Sequence, residues 1–309
     1  MAYRFCRTVR RTEHRVMMEN YLATLRERAQ QLKEKWPGYR DILDFYVKVR
    51  EAQVASKVSL HVGPITLRKE LRDCPTGEDA SLIQREDFPV DTPASIALFH
   101  DLCRIGKTAN PYLADQIEKI EKTLDEKQID LPKLLTGQGE EKAGTHVDTQ
   151  RGLDNQVLAF LIQNSKKPSI EAIMEQLQTS VDGEAWRKCH CPVCGSSPSL
   201  NVLKGTEGKR YSLCSFCGCE WRIERVSCAV CDNKEQGSLR YFYSEGEEAY
   251  RIDLCDTCHH YIKTIDYRTL EASDPFLEDL ATLHLDVVAV QKGYKKSVPS
   301  HGVPEDWKK

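Results

Sequence analysis

Four cysteine pairs, Cys191/Cys194, Cys214/Cys217, Cys228/Cys231 and Cys255/Cys258, each enclose two residues. A C-x2-C turn aims both sulfurs at one point and leaves the following backbone N–H groups facing them, so two such turns complete a tetrahedral S4 metal site. Nineteen residues separate Cys194 from Cys214 and twenty-three separate Cys231 from Cys255. Each gap is long enough for a two-stranded hairpin that brings its flanking turns together. Sequential closure is the simplest arrangement: Cys191, Cys194, Cys214 and Cys217 around one ion, and Cys228, Cys231, Cys255 and Cys258 around another. A cross-braced pairing satisfies the same spacings. A redox dithiol belongs at a helix N-terminus beside a strand, a context these pairs lack. Plain unmetallated thiols are the third reading. Zinc is the default for a closed S4 site, and iron accepts the same thiolates. Cys189, Cys219, His190, His259 and His260 read as local fold or as groups around the ligands, because eight cysteines already fill two tetrahedra.

The elements that must position these turns are legible around them. "SLNVLKG" and "KRYSLC" flank "GTEG", and "SLRYFYSE" and "EAYRIDLC" flank "EGEE". Each pair predicts a hairpin. "RYSLCSFC" and "RIDLCDTC" repeat Arg-x-x-Leu-Cys-x-x-Cys, matching Arg210 to Arg251 and Leu213 to Leu254. Two tandem modules follow, each built as knuckle, hairpin, knuckle. In so small a fold the metals supply much of the folding energy, and their removal is expected to melt residues from about 187 to 270 and spare what precedes them.

Ten of the 13 cysteines lie between Cys189 and Cys258, and Cys6, Cys74 and Cys103 stand apart. The preceding sequence is helical. Met18, Leu22, Leu25, Ala29 and Leu32 form one apolar stripe that ends at "WPGY", and Ile42, Phe45, Tyr46, Val49 and Gln53 form a second. In "DTPASIALFHDLCRIG", Thr92 is the expected N-cap, Pro93 the first helical residue and Gly106 the stop. His100 and Cys103 on that helix carry no partner spacing and read as ordinary core or surface residues. "LTGQGEEKAGTHVDTQRG" reads as a polar loop, "LDNQVLAFLIQNS" as a helix, and "KKPSIEAIMEQLQTS" as a further helix capped by Ser169. Past Ser273, Leu277, Leu280, Leu283 and Val287 predict a C-terminal helix, followed by a mobile tail.

The expected fold is α+β: a helical domain over 1–185, one rubredoxin-like or zinc-ribbon module over 186–227, a second over 228–272, and a C-terminal helix and tail over 273–309. At 309 residues, with 40% hydrophobic and 29% charged residues and a net charge of −3, the composition suits a globular chain and makes no global case for nucleic acid or an anionic membrane. No apolar run approaches the roughly 20 residues that span a bilayer. "MAYRFCRTVRRTEHRVMM" lacks the apolar stretch and cleavage site of a secretory signal, so a cytoplasmic location is expected. From Arg187 to Arg268 there are 12 Lys/Arg against 11 Asp/Glu, no basic footprint for nucleic acid. A nucleic-acid-binding ribbon is therefore the alternative reading. Tyr211, Trp221, Tyr241, Phe242, Tyr243, Tyr250 and Tyr261 alternate along strands as core or protein-contact residues do. No Gly-rich phosphate loop, GxSxG or HExxH occurs, and closed S4 sites leave no coordination position for a substrate. The chain is expected to be neither an enzyme nor a small-molecule binder.

"CPVCGSSP", "RYSLCSFCGCEW", "CAVC", "LCDTCHHYIKTID" and "DLATLHLDVVAVQKGY", in that order over residues 187–294, resemble the formate dehydrogenase accessory protein family FdhE. The resemblance implies a cytoplasmic maturation factor that acts on the molybdenum- or tungsten-dependent catalytic subunit of formate dehydrogenase. It also implies rubredoxin-style iron, held by the two sets of four cysteines named above. "CPVCG" is similar to a rubredoxin knuckle. "CAVC" and "CDTC" lack its proline and glycine, which leaves zinc open in the second module. Cys219 and Trp221 belong to the family-like "CGCEW", in packing or outer-shell roles.

Overall fold

Three of the helices in the N-terminal half each begin where an Asx side chain precedes a proline. The computed structural model describes residues 2–65, 81–137, 153–177, 183–184 and 186–298, with residues 2–15 described through their helical backbone alone. Among them α1 spans Ala2–Lys35, α2 Arg40–Val58, α3 Thr92–Lys107, α4 Pro111–Asp125, α5 Leu131–Thr136 and α6 Asn155–Leu177. Asp91, Asn110 and Asp130 accept from Ala94, Leu113 and Lys133 N–H at 3.1, 2.8 and 3.1 Å, satisfying donors that a helix N-terminus leaves free. The α3 cap is thus Asp91, not Thr92, and Gly106 lies inside the last turn. The loop expected before α6 falls mostly at 138–152, outside the described residues, as do Cys74 and the Cys6 side chain. Cys103 is fully buried in the helical core, and burial, aided by Glu121, pushes its thiol up to about 12.

Helix α6 is one element where two were expected. Pro168 sits inside it, and a proline there frees the carbonyl four residues back. Gln53, buried on α2, donates to that carbonyl, Asn164 O, at 3.0 Å. The break is thereby repaired from a neighbouring helix, and Ser169 is left to accept from Asp91 N–H instead of capping.

The cysteine-rich half is a single sheet. Strands β1 (Pro198–Lys204), β2 (Lys209–Cys214) and β3 (Glu220–Arg222) form one antiparallel set. β4 (Leu239–Phe242), β5 (Tyr250–Cys255) and β6 (His260–Asp266) form the second. β1 pairs parallel with β6, from Leu200 opposite Lys263 to Leu203 opposite Asp266, giving the order β3-β2-β1-β6-β5-β4. The repeated arginines converge at this seam. Buried Arg210 reaches Asp253 at 3.0 Å and Ser227 O at 2.7 Å, and Arg251 meets the other Asp253 oxygen at 2.8 Å.

The expected C-terminal helix is two helices, α7 (Pro275–Ala281) and α8 (Leu283–Gln291). Lys263 explains the break. Its ammonium, fully buried under the sheet, takes the carbonyls of Asp279 and Thr282 at 2.9 and 3.1 Å, and a side chain inserted into the ladder kinks a helix. The change of direction leaves Val287 exposed. Part of the expected tail is ordered as well: β7 (Lys295–Lys296) pairs with β6, while 299–309 lie outside the described residues.

Two interfaces tie the halves together. Leu25, Ala29 and Leu32 of α1 and Ile42 and Leu43 of α2 share a core with Leu277, Leu280, Ala281 and Leu283. Arg28 pairs with buried Glu278 at 2.6 Å, and Glu278 also accepts from Tyr250 at 2.5 Å. Ile170, Ile173 and Leu177 of α6 share another core with the first four cysteines.

Lys263 also pairs with Asp279 at 2.7 Å and Asp286 at 2.6 Å, with Lys296 bonded to both carboxylates. Burial opposes ionisation of Asp286, yet the two ammonium groups hold its carboxyl well below the usual range. Removing one partner from a buried network leaves uncompensated charge, which costs about 3–5 kcal/mol. Lys263→Met is expected to lose stability of that order in urea unfolding of the metal-loaded protein. A loss below about 1 kcal/mol would show that the carboxylates do not depend on it.

Candidate metal centres

Each module delivers its sulfurs by the same backbone device. In the first, the N–H of Cys191 bonds Ser196 O at 2.9 Å and that of Cys214 bonds Cys219 O at 2.9 Å; in the second, Cys228 N–H bonds Asn233 O at 2.8 Å. Cys255 pairs with His260 in the ladder. Every knuckle therefore closes five residues on, which places Cys219 and His260 as backbone partners of the loop. The residue after the second cysteine turns left-handed in all four: Gly195 at φ +69°, Gly218 at +72°, Asp232 at +57° and His259 at +53°. This turn faces amides to sulfur. Val193 N–H lies 3.4 Å from Cys191 Sγ, Phe216 and Cys217 N–H both 3.4 Å from Cys214 Sγ, and Val230 and Cys231 N–H 3.4 and 3.5 Å from Cys228 Sγ.

The eight sulfurs gather into two groups of four. Within each, all ligand atoms lie within 4.8 Å of one another. A tetrahedron with metal–sulfur bonds of about 2.3 Å has edges of about 3.8 Å. Cys191–Cys217, Cys194–Cys217 and Cys194–Cys214 measure 3.6, 3.6 and 3.3 Å. Cys228–Cys258 and Cys231–Cys255 measure 3.7 and 3.8 Å. The grouping is sequential, and both clusters can hold a metal ion.

Electrostatics give the same fit. Burial pushes Cys191 and Cys214 up, while hydrogen bonds from Cys191, Cys214 and Cys217 pull Cys194 far down. Four crowded sulfurs cannot all ionise unless a cation lies among them. In the second group burial opposes ionisation of Cys255, but the amides of Cys258 and Thr257 outweigh it and bring the thiol down to about 7. Burial raises Cys258 to about 11.

The two centres differ in enclosure. Cys191, Cys194, Cys214 and Cys217 are all buried in the core shared with α6, and Trp221 beside them is fully buried with its indole N–H on Lys188 O at 2.9 Å. In the second, Cys231 is exposed and Cys258 half-buried. That difference comes from tertiary packing and leaves no mark in the C-x2-C spacing. Cys189 is partly buried. His190 presents its carbonyl to Trp186 at 2.7 Å, and the His259 ring lies 6.2 Å from that of Tyr294.

Family models for the FdhE central domain and the FdhE C-terminal domain match residues 190–225 and 226–301, a division that falls between the two clusters. A protein FdhE homolog from Aquifex aeolicus is 28% identical over 269 residues, covering 86% of this chain and 89% of that relative. Residues 190–301 of the chain thus carry the two FdhE family domains, and the match to the Aquifex relative runs through the helical half as well. Protein FdhE of Escherichia coli (strain K12 / DH10B) is 32% identical over 148 residues, 44% of this chain and 47% of that protein. An FdhE homolog of Haemophilus ducreyi is 36% identical over 128 residues, 40% of this chain and 41% of the relative, so these two matches span under half the length of each relative. The fold is that of the crystal structure of the FdhE protein from Pseudomonas aeruginosa, with a TM-score of 0.65, 22% identity and coverage of 92% of this chain and 95% of that one.

Enclosure sets the order in which the metals leave. A chelator is expected to empty the second centre first and open Cys231 and Cys258 to alkylation while Cys191 and Cys194 stay protected. Loss of the first metal then loosens the C-terminal half of α6, because Ile170, Ile173 and Leu177 lose their packing partner; the melting thus reaches beyond the ribbons. Mass spectrometry of timed alkylation reads both steps, and simultaneous labelling of all eight cysteines would contradict the order. The left-handed turn supplies a second test. A non-glycine residue there carries strain, so Asp232→Gly is expected to stabilise the metal-loaded protein by about 0.5–1 kcal/mol in thermal unfolding. Destabilisation would show that the Asp232 side chain matters more than its backbone.

Proposed function

We propose that this chain is a maturation factor that binds the catalytic subunit of formate dehydrogenase in the cytoplasm while its cofactors are installed or checked, and that it does not itself catalyse a reaction. The match of residues 190–301 to the FdhE family models, with a similar FdhE homolog over most of the chain, is the observation that carries this reading, and the site chemistry agrees. Each cluster offers four thiolates to one ion, which leaves a bound metal no position for a substrate. Iron is the proposed metal in the first centre, where glycines close both knuckles; zinc is the alternative in the second, whose knuckles close on Asp232 and His259. The eight cysteines Cys191, Cys194, Cys214, Cys217, Cys228, Cys231, Cys255 and Cys258 are the proposed ligands.

One observation favours the nucleic-acid alternative. Tyr241 and Tyr243 are exposed and stack at 6.4 Å, with the Arg251 guanidinium 5.4 Å from the Tyr241 ring. Stacked aromatics with an arginine suit bases. Trp221, Tyr250 and Tyr261 are instead buried in the fold, and the near balance of charge across the ribbons argues against a phosphate footprint.

A pull-down from native extract with metal analysis separates the readings. Recovery of the formate dehydrogenase catalytic subunit, with a red ferric–thiolate colour, is the expected result. Salt-sensitive recovery of RNA without that subunit would overturn the proposal, and colourless protein holding two zinc ions would overturn the assignment of iron.

A further inference from the structure

A half-open cleft of about 1220 Å³ lies between α1, α6 and the turn that carries Cys214 and Cys217. Six cations and four carboxylates line it. Arg50 pairs with Glu171 at 2.9 Å, Lys57 with Glu171 and Glu175 at 3.4 and 2.7 Å, and Lys204 with Glu220 at 2.5 Å. The fourth carboxylate, Asp274, accepts from Tyr21 and Tyr46 at 2.5 and 3.0 Å. Every acid of the cleft is therefore engaged. Arg85, Lys166 and Lys167 make no ion pair within 4.0 Å among the described residues. Arg85 lies over the Phe216 ring at 4.6 Å and Lys167 over Phe276 at 4.9 Å. Aromatic faces hold these cations in place without neutralising them.

We propose that this cleft seats an extended segment of the client polypeptide that carries carboxylates among apolar side chains; this rests on the client-binding reading above. The volume exceeds the roughly 300–1000 Å³ of a small-molecule pocket. Met17, Met18 and Met174 face it beside Phe160 and Phe216, and methionine gives a binding surface that adapts to varied apolar side chains. Three cations with no carboxylate at ion-pair distance set the charge of the occupant, with Glu171 and Asp274 acting on Lys167 and Glu86 on Lys166 only from farther off. Burial, reinforced by Arg50, pulls Lys167 down to about 8, and burial with Arg85 lowers Lys166. Both ammonium groups are held at a cost that an entering carboxylate relieves. The segment would lie against the Cys214–Gly218 knuckle, so the first metal fixes one wall of its seat.

The test uses the full chain and the purified formate dehydrogenase catalytic subunit. Arg85→Glu and Lys166→Glu are expected to weaken the complex about tenfold or more in calorimetry, while Lys122→Glu, an exposed charge on α4 away from the cleft, leaves it unchanged. Thermal unfolding checks that each variant folds. p-Benzoyl-L-phenylalanine in place of Met17, at the rim and highly exposed, provides a readout independent of the charge reversals: the expected product is a crosslink to an acidic stretch of the subunit. A subunit that binds as tightly to both folded variants and gives no crosslink overturns the cleft proposal and leaves the client reading standing. A crosslink to RNA or to this chain's own residues overturns it as well. A wild-type chain that does not bind the subunit overturns the client reading, and with it this proposal.

Discussion

Four thiolates held within 4.8 Å of one another in a buried core would repel one another, and a cation at their centre would make the arrangement stable. The repulsion grows as burial lowers the local dielectric, so the more enclosed centre depends more strongly on its ion. Five-residue backbone closures and left-handed turns bring amides to the sulfurs and shape each knuckle. A metal held there would fix two knuckles to each other, and each pair of knuckles the hairpin between them.

The rest of the molecule is attached to that framework. Parallel pairing of β1 with β6 converts two small ribbons into one sheet, and Asp253, between Arg210 and Arg251, ties the modules where their repeat coincides. Lys263 anchors α7 and α8 beneath the sheet. Those helices meet α1 and α2, and the first centre meets α6. A cleft with one wall from the helices and one from a metal knuckle follows directly from that construction.

The cysteine spacing made the ligand grouping and the hairpins legible, because C-x2-C and turn residues act locally. The seam between modules was not legible. A parallel edge pairing rests on contacts between residues more than sixty positions apart, such as Leu200 and Lys263, and alternation along either strand is blind to its neighbour. Pro168 suggested a helix boundary for a sound local reason, and Gln53, more than a hundred residues away, cancelled it. Thr282 lies in a good helical stripe that a lysine from the sheet interrupts. Asp232 and His259 show the reverse case. The missing glycines bore on the choice of metal, yet the backbone keeps the left-handed closure of Gly195 and Gly218, since Asp and His tolerate that conformation better than most residues.

The central claim is that each centre is a closed site of four sulfurs. X-ray absorption at the metal edge of the purified chain tests it most directly. The account predicts four sulfur neighbours at about 2.3 Å for each metal and no lighter ligand. A shell of three sulfurs with a nitrogen or oxygen would contradict it: it would mean that His190, His259, His260 or water enters the site and that a coordination position is open to chemistry.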